Sequence, residues 1–328
     1  MKVLKFAGFV IALLIFLVIC AMSYVKLGLP DIDKPEDLTV PITPELVARG
    51  EYLANTVTVC MDCHSTRDWS RFSGPLVDNT LGKGGEVFDH KFGFPGVFTS
   101  KNITSSGIGD WSDAELYRAI TSGVTKSGTA IFPVMPYRAY GKMAKEDIYA
   151  IIAYIRSLEP IDNTVGNSTP DFPMNFIINT IPQPADHQPL PDKSDVIAYG
   201  AYMTNAAGCT ECHTPQENGA PIMSKYMAGG FPFQLPGFGV VISANITPAK
   251  SGIGSWTEDQ FVERFKYYGK EGYVPHKVNE REFQSVMPWT MYARMEEEDL
   301  RAIYQYLQTI EPVEHVMQRF TPEESSGS

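Results

Sequence analysis

The sequence has few basic residues and few cysteines, and each shortage argues against a class of protein. It contains 27 Lys and Arg against 38 Asp and Glu among 328 residues, which gives a formal net charge of -11 at pH 7. Because nucleic-acid binding needs basic patches that meet phosphates, we expect no nucleic-acid partner. A disulfide scaffold is not expected from 5 cysteines either, because a chain this long buries hydrophobic cores without such bridges.

A long apolar run lies at the N-terminus. Lys2 and Lys5 precede residues 6–22, which contain no charged side chain. Such a run is close to the ~20 residues that cross a bilayer, and positive charge before a span keeps that end in the cytoplasm. We therefore expect a single transmembrane anchor within residues 1–30, with the remaining chain on the periplasmic or outer face of the cytoplasmic membrane.

The apolar run has three possible fates, of which we favour an uncleaved anchor. The string Ala21-Met-Ser23 has the small-x-small shape of a cleavage site, so a cleaved signal peptide is an alternative. A lipoprotein modified at Cys20 is less favoured, because Ile19 stands where a small residue is expected. Otherwise Cys20 is a small apolar residue among membrane-facing neighbours.

Five short motifs recur in the same order about 150 residues apart, which predicts that the chain contains the same domain twice. The matched ranges are 49–55 and 199–205, 102–104 and 245–247, 106–112 and 251–257, 134–137 and 286–289, and 155–160 and 307–312. We place the first domain at 44–160 and the second at 194–314. Residues 161–193, rich in Pro, Asn, Asp and Ser, are the expected linker, and 321–328 is expected to be a disordered tail.

Each copy is expected to be mainly α-helical. Apolar spacing and the Ser/Thr-x-x-Glu/Gln capping pattern predict three helices a copy. The predicted helices cover 44–57, 112–122 and 145–158 in the first copy and 194–206, 257–268 and 296–310 in the second. Pro160 and Pro312 would end the last helix of each copy.

Four of the cysteines belong to two Cys-x-x-Cys-His strings, which are typical of c-type haem attachment. These strings are Cys60, Cys63 and His64 in the first copy, and Cys209, Cys212 and His213 in the second. Two thiols can reach two vinyl groups on one edge of the macrocycle, and the next residue can turn its imidazole onto the iron. A thioredoxin-like redox pair would need a βαβ pattern, and a zinc site would need four converging ligands. We therefore predict two covalently attached haem c groups with histidine as one axial ligand.

The second axial ligand is expected from methionine. Met135 and Met287 stand at equivalent positions in Val-Met-Pro-aromatic strings, and His–Met ligation suits electron transfer. A proline after the methionine would hold the loop extended across the haem face. Among the histidines without a repeat partner, His90 and His276 are the rivals for this position, because each lies between the cysteine string and the methionine.

Three further matched pairs are candidates to support the haems. They are Pro75 and Pro221, Trp111 and Trp256, and Asn102 and Asn245. A carbonyl of the proline pair could accept a hydrogen bond from the axial histidine, or the prolines could form ordinary turns. The tryptophans could contact the haem edge or a propionate, or they could only staple the following helix. The asparagines could bind propionates, or they could form turns.

These motifs resemble those of membrane-anchored di-haem cytochromes c, and of the cytochrome subunits of bacterial membrane alcohol and gluconate dehydrogenases. The resemblance covers about residues 44–312 and lies in the two cysteine strings, the Asn-Ile-Thr and Gly-Ile-Gly-x-Trp blocks and the Val-Met-Pro strings. It implies two tandem class I cytochrome c domains whose first and last helices cross around a haem, with Gly50 and Gly200 at the crossings. Those subunits usually carry three such modules, whereas this chain has two.

The function that we expect is electron transfer without catalysis. The chain would pass electrons from a membrane dehydrogenase or a quinol-oxidising complex toward a terminal acceptor, so no catalytic residue is expected. A di-haem peroxidase is one alternative, and it would need one haem with an open sixth position. A dedicated cytochrome subunit of a dehydrogenase complex is the other.

Overall fold

The structure, a computed structural model, describes residues 2–35, 37–217 and 219–324 and is largely helical. Helix α1, Lys2–Leu27, is long and apolar enough to cross a membrane, and none of its residues is buried against the rest of the chain. Its C-terminal end contacts a later segment, because Lys26 Nζ donates to the Asn175 carbonyl and Asn179 Nδ2 donates to the Val25 carbonyl.

After α1, two halves with matching helices follow, residues 44–193 and 194–324. In the first half the helices are α2 Pro44–Tyr52, α3 Cys60–His64, α4 Ser105–Ile108, α5 Asp113–Ser122, α6 Tyr137–Tyr140, α7 Lys145–Ser157 and α8 Met174–Ile177. In the second half they are α9 Val196–Ala206, α10 Cys209–His213, α11 Glu258–Lys266, α12 Trp289–Tyr292 and α13 Glu297–Leu307. The expectation of a mainly α-helical chain is confirmed.

Local sequence explains where the helices begin. Both predicted capping boxes are present: Ser112 with Glu115 before α5, and Thr257 with Gln260 before α11. Each cap satisfies backbone N–H groups that the first helical turn leaves without partners. The largest difference from the predicted helices is in α2, which ends as an α-helix at Tyr52 and continues as a π-helical turn, Leu53–Val57, before the first cysteine string. Helix α13 ends at Leu307, earlier than the predicted 310.

The first and last long helices of each half cross at a glycine. A Cβ atom on Gly50 of α2 would lie 1.9 Å from the Ala150 carbonyl oxygen of α7. A Cβ on Gly200 of α9 would lie 2.0 Å from the Ala302 oxygen of α13. The missing side chain is therefore what lets the helix backbones touch, as the resemblance implied for these two glycines.

The first half also contains one small antiparallel sheet of three strands, and the second half contains two antiparallel sheets, the first of two strands and the second of three. The strands are β1 Val87–Phe88, β2 Gly96–Thr99 and β3 Thr169–Pro170 in the first half, and β4 Gln216–Glu217, β5 Ala220–Pro221, β6 Pro232–Leu235, β7 Gly239–Ile242 and β8 Phe320–Pro322 in the second. Gly96 pairs with Pro170 and Gly239 pairs with Pro322, so β2–β3 and β7–β8 have equivalent registers.

Strand β8 corrects the expectation of a disordered tail at 321–328. Thr321 and Pro322 belong to a strand because their backbones pair with Gly239 and Val240 of β7. Residues 325–328 lie outside the described residues.

The predicted linker packs against the first half. Asn102 Nδ2 donates to the carbonyls of Ile161 and Asn163, and β3 joins the first sheet. Further along, His187 contacts the Tyr117 hydroxyl at 2.5 Å and the Met143 carbonyl at 2.5 Å. Tertiary hydrogen bonds thus attach the linker near its beginning, middle and end.

The two halves share one continuous core and make reciprocal polar contacts. Tyr52 of α2 donates to Asp299 of α13 at 2.5 Å, and Tyr202 of α9 donates to Asp147 of α7 at 2.6 Å. Both carboxylates are buried, and Arg49 also forms an ion pair with Asp147 at 2.9 Å. Each half therefore satisfies a buried carboxylate at the start of the last helix of the other half.

Candidate haem sites

Each cysteine string forms one helical turn that begins after a left-handed residue. Val59 has φ 44° before α3, and Gly208 has φ 64° before α10. None of the 5 cysteines, all of which lie in the described ranges, forms a disulfide. Burial raises the pKa of Cys209 and of Cys212 to about 12.

Both predicted axial histidines are oriented by a backbone carbonyl. His64 Nδ1 lies 2.7 Å from the Lys101 oxygen, and His213 Nδ1 lies 2.8 Å from the Ala244 oxygen. A carbonyl accepts from Nδ1–H, which leaves Nε2 unprotonated to bind a metal ion. Burial lowers the pKa of both imidazoles, which favours this neutral form.

These acceptors differ from the predicted Pro75 and Pro221. The Pro75 carbonyl accepts instead from the Asp68 backbone N–H at 2.9 Å, and Pro221 is an exposed residue of β5. The reason is topological: Lys101 is 37 residues from His64 and reaches it when the first sheet folds over α3. Both true acceptors directly precede the repeated Asn-Ile-Thr string, a signal that could have been used.

A cavity of about 680 Å³ lies in the second half and brings the predicted ligands together. The residues that line it include Cys209, Cys212, His213, Met287 and Trp256. Cofactor sites commonly occupy 300–1,000 Å³ and are mostly apolar with a few placed polar groups. Two thiols, one imidazole and one thioether on a mostly aliphatic and aromatic wall fit a covalently attached haem, so the residues present suit this group.

The first half shows several of the same local contacts. Tyr140 donates to the Thr58 carbonyl at 2.8 Å before the first cysteine string, and Tyr292 donates to the Ala207 carbonyl at 2.6 Å before the second. Met135 is half-buried and packs against the shared core, as does Met287. Trp111 and Trp256 also pack against this core.

The two asparagines form turns, which is one of the two roles that we considered for them. Asn102 Oδ1 accepts from the backbone and hydroxyl of Thr104, and Asn245 Oδ1 accepts in the same way from Thr247. Their Nδ2 groups also donate to carbonyls, and both residues are buried. Their hydrogen-bonding groups are thus used within the chain, which leaves little for a propionate.

The two histidine rivals for the sixth position lie elsewhere. His90 is exposed and pairs with Asp171 at 2.5 Å, while the ring of His276 stacks on Phe72 with centroids 5.0 Å apart. Neither lines the cavity of the second half.

Sequence reasoning missed several cavity residues. His315, Arg264 and Arg319 line the cavity but have no repeat partner of the same type. Phe72 lines it from the first half, and the neighbouring Ser73 donates its hydroxyl to the Met287 carbonyl at 2.6 Å. The second site is therefore completed by a loop of the first half.

Residues 197–311 match the family model described as cytochrome c. This part of the chain is a cytochrome c domain. A domain of this family implies covalently bound haem c, which agrees with Cys209, Cys212 and His213 lining a cavity of suitable size.

Curated relatives extend the likeness to most of the chain. The cytochrome c subunit of alcohol dehydrogenase (quinone) from Gluconacetobacter polyoxogenes is 28% identical over 86% of this chain and 60% of its own length. The gluconate 2-dehydrogenase cytochrome c subunit of Pantoea cypripedii is 28% identical over 81% of this chain and 59% of its own. A diheme cytochrome c-type protein of Cereibacter sphaeroides is 27% identical over 78% of this chain and 83% of its own length. The chain thus spans about 60% of the length of the two dehydrogenase subunits.

Proposed function

We propose that this chain is a di-haem c-type cytochrome that transfers electrons between a membrane dehydrogenase or quinol-oxidising complex and a terminal acceptor. The observation that carries the proposal is the matched geometry of the two cysteine strings. In each half a histidine is fixed through Nδ1 by a carbonyl, and a Val-Met-Pro loop lies against the same core. Two such sites suit two low-spin haems with His–Met ligation.

The proposed organisation is two tandem cytochrome c domains behind one membrane anchor. The first domain covers 44–160 and the second 194–314, and the linker 161–193 belongs structurally to the first. With α1 as the anchor, two lysines before the span favour a periplasmic location for both domains.

The side chains of each site would hold the haem in place and exclude water from it. A bound haem would supply one-electron chemistry at its iron. Cys60 and Cys63, and likewise Cys209 and Cys212, would form the thioether links. His64 and His213 would offer Nε2 to the iron, and Met135 and Met287 would offer a thioether sulfur. The cavity of the second half is lined largely by apolar side chains. This lining lowers the local dielectric and favours the neutral form of the His213 imidazole. No group is assigned to proton transfer or nucleophilic attack.

A dehydrogenase is the redox partner that we propose. The names of two relatives describe cytochrome c subunits of an alcohol dehydrogenase and of a gluconate dehydrogenase. The net charge of -11 suits a partner with a basic docking face. Co-purification of the full chain from its native membrane, followed by identification of bound proteins, distinguishes a dedicated subunit from a free carrier.

Absorption spectroscopy of the full chain tests the proposal. We expect two c-type haems per chain by the pyridine haemochrome assay, and two equivalents of the sulfur-to-iron band in the oxidised protein. Met135→Ala and Met287→Ala should each remove one equivalent and create a high-spin signal. Met223→Ala, which changes an exposed methionine, is the control and should leave both bands.

Two results would contradict the proposal. A measured content of one haem per chain would contradict the proposal of two haem sites. A wild-type protein with one sulfur-to-iron equivalent and a high-spin haem would instead support the peroxidase.

A further inference from the structure

Two arginines line the cavity of the second half together with His213 and Met287. These are Arg264 and Arg319, and both are exposed, so they lie where the cavity meets solvent. Within residues 2–35, 37–217 and 219–324, neither arginine forms an ion pair with a carboxylate. Two cations without a counter-charge, at the edge of a largely apolar cavity, favour the binding of an anion.

The surroundings hold both guanidinium groups in place. Arg264 lies over the Trp289 ring, 4.8 Å from its centroid, and a stacked guanidinium keeps its N–H edge available. Arg319 uses Nε to donate to the Ile242 carbonyl at 2.7 Å, which leaves its terminal N–H groups for another acceptor. Although Arg319 reaches solvent, desolvation of its guanidinium by the cavity wall and, in second place, repulsion from Arg264 lower its pKa, and a bound anion would offset both effects.

The first half has no arginine at either matching position. Counted from the capping residues of α5 and α11, Ala119 occupies the position of Arg264. The equivalent registers of β3 and β8 place Asn167 at the position of Arg319. Lys101 approaches this site, but its ammonium group donates to Asn167 Oδ1 at 3.2 Å. The cationic pair is thus specific to the second half.

We propose that Arg264 and Arg319 bind the propionate carboxylates of the haem in the second half, and that this makes it the higher-potential centre. The inference rests on the proposed function, because it needs one haem in each half. Carboxylates are the anionic groups of a haem, and a guanidinium can bind one through two parallel hydrogen bonds.

The effect on potential follows from charge. Ferric iron carries one more positive charge than ferrous iron, so nearby unpaired carboxylates favour the oxidised state. A guanidinium paired with each carboxylate offsets this preference and makes reduction by one electron more favourable. The first half lacks the pair, so electrons should pass from the first half to the second and leave the protein from the second.

Spectroelectrochemical titration of the full haem-loaded chain in detergent tests this inference. Arg264→Gln and Arg319→Gln should each lower the higher of the two midpoint potentials and leave the lower one in place. For the double variant we expect about a tenfold fall in the reduction constant, which is about 59 mV for one electron. Arg319→Lys should recover part of the shift. Arg294→Gln removes an equal charge from an exposed residue outside the cavity and should shift neither potential.

The possible results separate this inference from the proposed function. Haem content is measured first, and fewer than two haems per chain would overturn both. Two haems with unchanged potentials in the double variant would overturn this inference alone and would assign the arginines to partner docking. Equal shifts of both haems, or a shift as large in Arg294→Gln, would also overturn it, because the effect would then be one of overall charge.

Discussion

At the scale of single residues, Gly50 and Gly200 decide how closely the long helices of each half approach. A side chain on Gly50 would meet the backbone carbonyl of Ala150, and one on Gly200 would meet that of Ala302. Neither carbonyl can move unless its whole helix moves. Glycine normally weakens a helix by about 0.5–1 kcal/mol relative to alanine. Here the close approach outweighs that cost, because the crossing positions the cysteine strings that follow α2 and α9.

Replacement of either glycine by alanine should destabilise the protein. We expect Gly50→Ala and Gly200→Ala each to lower the free energy of unfolding by about 3 kcal/mol, at the upper end for overpacked sites. Gly166→Ala is the matched control, since a Cβ there has no atom within 4 Å and Gly166 lies outside helices and strands. Denaturant titration of the three variants measures the effect, and equal stability of all three would refute the close-contact argument.

At the scale of secondary-structure elements, the reciprocal tyrosine–aspartate contacts fix α2 and α9 against α13 and α7. Tyr52 bonds Asp299, and Tyr202 bonds Asp147, so two buried carboxylates are satisfied by hydroxyls from the opposite half. Hydrogen bonds to a charged group contribute about 1.5–3 kcal/mol each, and a buried carboxylate left without partners costs more. Burial, followed by the neighbouring carboxylate, raises the pKa of both tyrosines well above the usual 10.

These contacts should make the fold sensitive to alkaline pH. Because the tyrosine pKa is raised in the folded state, the contribution of each tyrosine to the free energy of unfolding is complete below pH 10. It is lost as the pH rises from 10 toward the folded-state pKa. For each tyrosine, the free energy of unfolding should therefore fall by up to about 1.4 kcal/mol per pH unit above 10. Tyr52→Phe and Tyr202→Phe should lower stability at pH 8 and flatten its decline between pH 10 and pH 11.

Denaturant midpoints across this pH range provide the measurement. Tyr267→Phe removes an exposed hydroxyl from the second half and serves as the control. If the decline above pH 10 had the same slope in all three variants and the parent, the interface tyrosines would not be its source.

At the scale of the whole molecule, the apolar helix α1 is joined to the first of the two halves by contacts with the linker. The end of α1 is tied to the linker, because Lys26 lies over the Phe176 ring and hydrogen-bonds to Asn175. Phe172 and Ile177, beside this contact, are exposed apolar residues. The arrangement holds the first half close to the end of the span.

The full chain should accordingly stay in the membrane fraction. Because α1 is long enough to cross a bilayer, we expect alkaline carbonate washing to leave the protein in the pellet, and intact mass to include residues 2–27. A mass that begins after Ser23, with release into the soluble periplasm, would instead show a cleaved signal peptide. A mass increase confined to Cys20 would show a lipoprotein.

Prediction from sequence succeeded where the signal was short-range. The caps at Ser112 and Thr257 and the last helices follow from local pattern, and the two crossing glycines follow from the family resemblance. It failed for the histidine acceptors, because the carbonyls of Lys101 and Ala244 carry no side-chain signature. Every residue has a backbone acceptor, so the path of the chain selects one, and the Asn-Ile-Thr string that follows Lys101 and Ala244 is the mark of it in the sequence.

The sequence by itself determined the chemistry of each site: two thiols and an imidazole at fixed spacing, twice, with a methionine later in each copy. Covalent attachment depends on residues within five positions, and such spacing survives any arrangement of the domains. Only the tertiary structure decided which carbonyl orients each histidine, which half supplies the cover over Met287, and that Arg264 and Arg319 meet at one cavity. Those contacts join residues far apart in the chain, within one half for the carbonyls and the arginines and between the halves for Ser73 and Met287, so they depend on how the folded chain packs.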